Sequence, residues 1–170
     1  MEKKKYPVIT LEDIIKNEQV RTYIEQGNAF LGEIGFTEHG FAHAKRSSNY
    51  ASNILKSLGY DERACELAAI AGYMHDNGNV VNRVAHAQSG ALMAFTILTN
   101  LNMDPQEIAQ ITAAIGNHDE GTAAAVSPIA AALILSDKGD VRRTRVRDKS
   151  SVDIDIHDRV NYAVERASME

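Results

Sequence analysis

The sequence predicts an all-α protein, a single-domain helical bundle, on three observations. Apolar residues recur at helical spacing along most of the chain. Two helix starts are written as a capping residue followed by proline, Asp104-Pro105 and Ser127-Pro128. With no tryptophan and four phenylalanines, the core must be built from Ala, Ile, Leu and Met, which suits closely packed helices. Only residues 152–158, VDIDIHD, alternate with the period of a strand over a useful length.

Taken in order, Leu11 to Leu31 reads as one or two helices. Glu12-Asp13 lies near a first turn, and Ile14, Ile15, Val20, Tyr23, Ile24 and Phe30 fall at roughly helical spacing. Gly32, Gly35 and Gly40 break the pattern, and a polar loop runs to about Glu38. Phe41 to Leu58 is the next helix, carried by Tyr50, Ile54 and Leu58 and stopped by Gly59. Asp61 caps a helix whose body, ELAAIAGYM, is apolar nearly all round. A helix without a polar face is surrounded by others, so this one is placed at the centre. From about Ala85 to Leu101, the residues Leu92, Phe95 and Leu98 share one side. Asp104-Pro105 with Glu107 starts a helix whose Ile108, Ile111 and Ile115 form one face. Ser127-Pro128 opens the apolar run IAAALILS. Lys138 to Lys149 reads as irregular or short-helical, and a last helix spans about Asp158 to Ala167, capped by Asp158. The expected organisation is an N-terminal helical segment over 1–37, a core over 38–148, and a C-terminal segment with a short helix over 149–170.

A chain of 170 residues is the length of one domain. Its 44% hydrophobic and 24% charged residues exclude the disordered and collagen-like classes. The single cysteine, Cys65, excludes a disulfide framework and a cysteine-rich zinc site, and its place in an apolar helix reads as packing. No run approaches the roughly 18 apolar residues of a membrane span. The start, MEKKKYPVIT, is basic but lacks the apolar stretch of a signal peptide, so no membrane partner and a cytoplasmic location are expected. A net charge of −5 argues against general nucleic-acid binding. The surface beyond the central helix leaves a face on which a homodimer could form.

The histidines carry the chemistry. His-Asp occurs three times, as His75-Asp76, His118-Asp119 and His157-Asp158. His75-Asp76 closes the most apolar helix, where a charged pair is costly unless it is metal-bound or otherwise partnered. His118-Asp119 ends another helix in the same manner, whereas His157-Asp158 lies in a polar run and reads as structural. His43, His86 and Asp137 also fall on or at the ends of helices, and one spacing separates both His43 from His75 and His86 from His118. Such separations suit ligands delivered from different helices to one point. Imidazoles with carboxylates suit Mn, Fe, Co, Ni or Zn, one or two ions per chain, better than Mg, which stays an option.

These residues resemble the HD superfamily of metal-dependent phosphohydrolases, whose motif is a His, a later His-Asp pair and a still later Asp, all on helices. The matching stretches are His43 in GFAHAKRSSNYASNILKSLG, His75-Asp76 in AAIAGYMHDNGN and Asp137 in AALILSDKGD. The resemblance covers roughly residues 38–148 and implies the HD-type helical fold. It implies that these four bind a first metal, that Asp76 bridges to a second, and that His86 and His118 complete a dinuclear site. Asn79 stands where many relatives carry a lysine, and no Gly-Tyr-Pro signature follows His118, so the subgroup that cleaves cyclic di-GMP is not indicated. His39, four residues before His43, and Asp119 are secondary ligand candidates; His39 would share a face with His43 if its helix extends back.

The implied chemistry is attack of metal-activated water on phosphorus, with Asp76 orienting that water, which needs no nucleophilic side chain. Asp119 or Glu120 would protonate the leaving group. The stretch DKGDVRRTRVRDK places six cations between 138 and 149. Lys138, Arg142 and Arg143 are its candidates for holding substrate phosphate, with Arg46 and Arg83 behind them. The bland alternative is a solvated basic loop that pairs with Asp153-Ile154-Asp155. The function expected is hydrolysis of a phosphate ester or phosphoanhydride of a small molecule, a nucleotide foremost. The alternative is a non-catalytic HD domain that binds a nucleotide or a protein partner in a regulatory role.

Overall fold

The computed structural model describes residues 6–152 and 156–168. Eight α-helices appear among them: α1 Leu11–Lys16, α2 Glu18–Glu33, α3 Phe41–Ser57, α4 Glu62–Met74, α5 His86–Asn100, α6 Pro105–Gly116, α7 Pro128–Gly139 and α8 Ile156–Ala163. Three short 3-10 turns join them, at Asn77–Val80, Arg143–Arg145 and Lys149–Ser151. No strand occurs among the described residues, so the all-α expectation holds.

Most boundaries follow from local capping chemistry. Thr10 and Asp13 form a reciprocal capping box at α1, and the Asn17 side chain accepts from the Val20 amide to restart the chain as α2. The stretch Leu11 to Leu31 is therefore two helices. Asp61, Asp104 and Ser127 cap α4, α6 and α7 as their sequences imply, with proline in the first turn of the latter two. Gly59, at φ 79°, ends the turn after α3.

Two expectations need correction at the other ends. The helix carrying His43 begins at Phe41 after a Gly40 cap, so His39 precedes it and does not extend it. Helix α8 begins at Ile156 and stops at Ala163, so Asp158 is a buried first-turn residue and not its cap. The alternating run at 152–158 includes Asp153-Ile154-Asp155, which lie outside the described residues, as do Lys3, Lys4 and Lys5.

Helix α4 is the central element. Every residue from Leu67 to Met74 is buried, and α4 packs on α1, α3, α6 and α7. Burying each large aliphatic side chain contributes about 1.5–3 kcal/mol, and Ile70, Met74, Ile111, Ile115 and Leu133 are all fully enclosed around it. The closest approach is at Gly72, where a Cβ would lie 2.8 Å from the Ser47 carbonyl oxygen and the Ser48 backbone. Only glycine lets α3 and α4 come this near. A forked ion pair from Arg63 to Glu107 fastens α4 to α6. No helix among the described residues is long and apolar enough to cross a membrane.

Candidate metal centre

Helix ends converge on one point. His43 lies in the first turn of α3, and His75 caps the C-terminus of α4 with Asp76 next to it. His86 opens α5, His118 follows α6, and Asp137 lies in the last turn of α7. Gly78 brings the 77–80 turn against α5, since a Cβ there would overlap the His86 carbonyl oxygen and stand 2.6 Å from the Gly90 amide nitrogen. Ala85, held at φ 58°, then turns the chain into α5. A left-handed backbone at alanine costs about 1 kcal/mol or more, a strain typical of functional turns.

The six residues form two clusters that share Asp76. In the first, His43 Nε2 lies 3.1 Å from His75 Nε2, 3.3 Å from Asp137 Oδ1 and 3.4 Å from Asp76 Oδ2. His75 Nε2 is 3.4 Å from Asp76 Oδ2 and 3.6 Å from Asp137 Oδ1. In the second, His86 Nε2 is 3.2 Å from His118 Nε2 and 3.5 Å from Asp76 Oδ1. Asp76 thus turns one oxygen to each cluster.

The tautomers follow from the opposite ring nitrogens. Nδ1–H of His75, His86 and His118 donates to the carbonyls of Gly72, Arg83 and Ile115, and that of His43 donates to Asp140 Oδ2 at 2.8 Å. In a neutral ring so bonded Nε2 presents a lone pair, and two lone pairs about 3 Å apart repel unless a proton or a cation lies between them. Asp76 Oδ2 is buried with no hydrogen bond of good geometry. Three overlapping trios have donor atoms all within 4.8 Å: His43/His75/Asp76, His75/His118/Asp137 and Asp76/His86/His118. This donor set fits one or two divalent cations.

The electrostatics of the protein groups agree. Burial alone would push the His43 imidazole down, but hydrogen bonds to Asp137, Asp140 and Asp76 carry it up to about 10. Burial would raise Asp76 and Asp137, yet the surrounding imidazoles hold both well below the usual carboxylate range. Burial, with His75 adding to it, depresses His118 to about 4, and burial also lowers His86. The buried carboxylates and the imidazoles around them thus hold one another's charge.

Residues the sequence reading passed over support these groups. Asp140, fully buried, receives His43 Nδ1–H and a fork from Arg142 at 2.6 and 2.9 Å, with Arg46 Nε at 3.2 Å. Arg145 donates to the Asp140 carbonyl and to that of Glu38. A carboxylate behind a histidine fixes its ring and raises its basicity toward a metal. The signal was present: Asp140 follows Asp137 by three residues across a helix end.

The remaining candidates divide. Asn79 donates to Asp76 Oδ1 at 2.8 Å, so the residue at the lysine position orients the shared carboxylate. His39 stacks edge-on to His43 at 5.4 Å, its Nδ1–H donating to the Thr37 carbonyl, and burial lowers it to about 3. Asp119 Oδ1 is 4.0 Å from His86 Nε2. Lys138 Nζ spans Asp137 Oδ2 at 2.9 Å and Glu120 Oε1 at 3.0 Å. Arg83 Nη1 is 3.3 Å from His86 Nε2 and 3.9 Å from Asp76 Oδ1. All but Asn79 line a cavity of about 590 Å³ over the clusters.

Arg142 and Arg143 are not among the described residues that line it. Arg142 is held by Asp140 and Glu38, and Arg143 donates to the Tyr162 carbonyl with its guanidinium over that ring. Cys65 is buried in α4. Asp158 was read as a cap, yet it is a cavity wall residue, as is its neighbour His157.

No family model matches the chain. It is 27% identical over 163 residues to an uncharacterized protein of Methanocaldococcus jannaschii, a match covering 83% of this chain and 62% of that protein. The chain thus spans about three fifths of the length of the curated relative it matches. Its fold is similar to the crystal structure of a predicted HD superfamily hydrolase from an uncultured Thermotogales bacterium, with a TM-score of 0.58 and 21% identity. That likeness covers 79% of this chain and 75% of the other. The chain shares the all-helical fold of that predicted HD superfamily hydrolase, and among its described residues the histidines and aspartates cluster closely enough to hold a metal ion.

Proposed function

We propose that this protein is a metal-dependent phosphohydrolase that cleaves a phosphate ester or anhydride of a small molecule, a nucleotide foremost, at a dinuclear centre. One observation carries the reading: the two oxygens of buried Asp76 face two separate pairs of imidazole Nε2 atoms. His43, His75, Asp76 and Asp137 would hold one ion, and Asp76, His86 and His118 the other. Mn, Fe, Co, Ni or Zn suits these donors. When bound, such ions supply an activated water and neutralise charge on the phosphoryl oxygens.

The chain's own groups do the rest. Lys138 and Arg83, the cations beside the clusters, donate to the non-bridging phosphate oxygens and hold phosphorus over Asp76. Asn79 and Asp140 keep Asp76 and the His43 ring in place. Asp119, partly exposed beside His86, is the group set to protonate the departing oxygen, since Glu120 is paired with Lys138. The test is elemental analysis of protein purified without chelator, followed by a phosphate-release screen of nucleotides with each metal. About two equivalents per chain and phosphate release support the reading. Protein that binds none of the metals on add-back refutes it.

A further inference from the structure

Helix α8 is built with its polarity reversed. Asp158 and Asn161 are buried, at 3% and 8% exposure, whereas Ile156 and Val160 are 59% and 48% exposed. Ile156 and Val160, one turn apart on the same face, line the cavity over the metal clusters together with Phe36 and Val141. The polar inner face is fastened to the body: the Asn161 side chain accepts the Arg142 amide at 2.9 Å. Arg143 adds a bond to the Tyr162 carbonyl and stacks over the Tyr162 ring at 5.0 Å. The helix is thus held with two aliphatic side chains facing the cavity, where exposure to water is unfavourable until something apolar covers them.

The cavity has two chemistries. Asp76, Asp137, His86, Lys138 and Arg83 supply a charged part suited to phosphate and its metals; Ile156 and Val160 with Phe36 and Val141 supply an apolar part, bordered by the polar His157, Asp158 and Asn161 of the same helix. Its volume, about 590 Å³, is in the range of pockets for whole small organic ligands and exceeds what a phosphate group fills. Phe36 already carries the Arg83 guanidinium over its ring at 5.6 Å, so a planar group and a phosphate-binding cation meet at this wall.

We infer that α8 is the specificity element of the site: Ile156 and Val160 bind an aromatic or similarly apolar group on the organic part of the phosphate ester. The substrate class is then a phosphate ester carrying a flat apolar ring, in preference to esters of polyols. The inference rests on the proposed hydrolase reading for its phosphate half. It also gives part of the basic stretch a role: the Arg142 main-chain amide and the Arg143 guanidinium hold the helix that selects the substrate.

The test compares metal-loaded wild type with an Ile156→Ser/Val160→Ser variant on p-nitrophenyl phosphate and on glycerol 3-phosphate. Both positions are exposed enough for serine to leave the fold intact, which metal content and circular dichroism would verify. The expected result is a KM about tenfold higher for the aromatic ester, with glycerol phosphate and metal content unchanged. Ile156→Leu should keep the wild-type preference. Equal changes for the two esters, or none for either, would overturn the inference. Should loaded wild type cleave no phosphate ester at all, the hydrolase reading falls separately. Binding of phenylphosphonate against methylphosphonate then decides: a wild-type preference for the phenyl compound that the variant loses upholds the wall, and equal affinities overturn it.

Discussion

Gly78→Ala should weaken metal binding at the second cluster and leave the first. A Cβ at residue 78 would overlap the His86 carbonyl oxygen and lie 2.6 Å from the Gly90 nitrogen and the Ser89 Oγ. Two of these three atoms are backbone, so no rotamer change relieves them. Ordinary contact begins near 3.4 Å, so the start of α5 must retreat by at least about 0.8 Å. Overpacking of this kind costs about 1–3 kcal/mol. At this chain length that lowers Tm by several degrees. His86 is the first residue of α5, and its Nε2 is 3.5 Å from Asp76 Oδ1. Displacing it should weaken metal at the second cluster by about 10–100-fold, the usual effect of disturbing the support of a ligand. Calorimetric metal titration reads both sites. Gly116→Ala, whose Cβ would meet only Ala91 at 3.5 Å, is the control. A Gly78→Ala protein that binds two equivalents with unchanged affinities would refute the argument that this close approach positions His86.

Asp76→Ala removes the shared carboxylate and should abolish phosphate release and bridged two-metal binding while circular dichroism stays helical; retained activity would remove the mechanism. Asp140→Asn leaves His43 Nδ1 without its carboxylate, so affinity at the first cluster should fall about 10–100-fold, measured by competition with a chelator. Stability of the metal-free protein should peak near neutral pH, followed by urea midpoints. His43, raised from 6.5 to about 10, contributes stability that is complete below about 6.5 and lost as pH climbs through 10. His118, lowered to about 4, contributes stability present above 6.5 and lost as pH falls through 4, each limb sloping by at most about 1.4 kcal/mol per unit per proton. A flat profile from pH 7 to 10 would contradict the protonated His43. Lys138→Met should raise KM or lower kcat for phosphate substrates severalfold with metal content intact, as steady-state kinetics would report; unchanged kinetics would make it a surface residue.

Much of this protein is legible without coordinates because its punctuation is local. Asp61, Asp104-Pro105 and Ser127-Pro128 start helices through bonds to amides two or three residues away, so the signal and its effect share one stretch of chain. His75-Asp76 at the end of a helix with no polar face already called for a partner, since burying that pair alone is unfavourable. The six residues nominated from helix ends are the ones that the fold brings together. Arg142 and Arg143 misled because charge density in sequence carries no direction: the side chains that suggested phosphate contacts instead fix Asp140 and α8.

What only the tertiary structure decided depends on approaches between distant stretches. Gly72 and Gly78 look like ordinary glycines until α3 and α5 lie within contact of them. The division of Asp76 between two histidine pairs, the Asp140 carboxylate behind His43, and the inverted faces of α8 are likewise long-range facts. Capping and amphipathicity are settled by near neighbours along the chain. Which oxygen meets which imidazole is settled by how whole helices pack, and no local pattern records it.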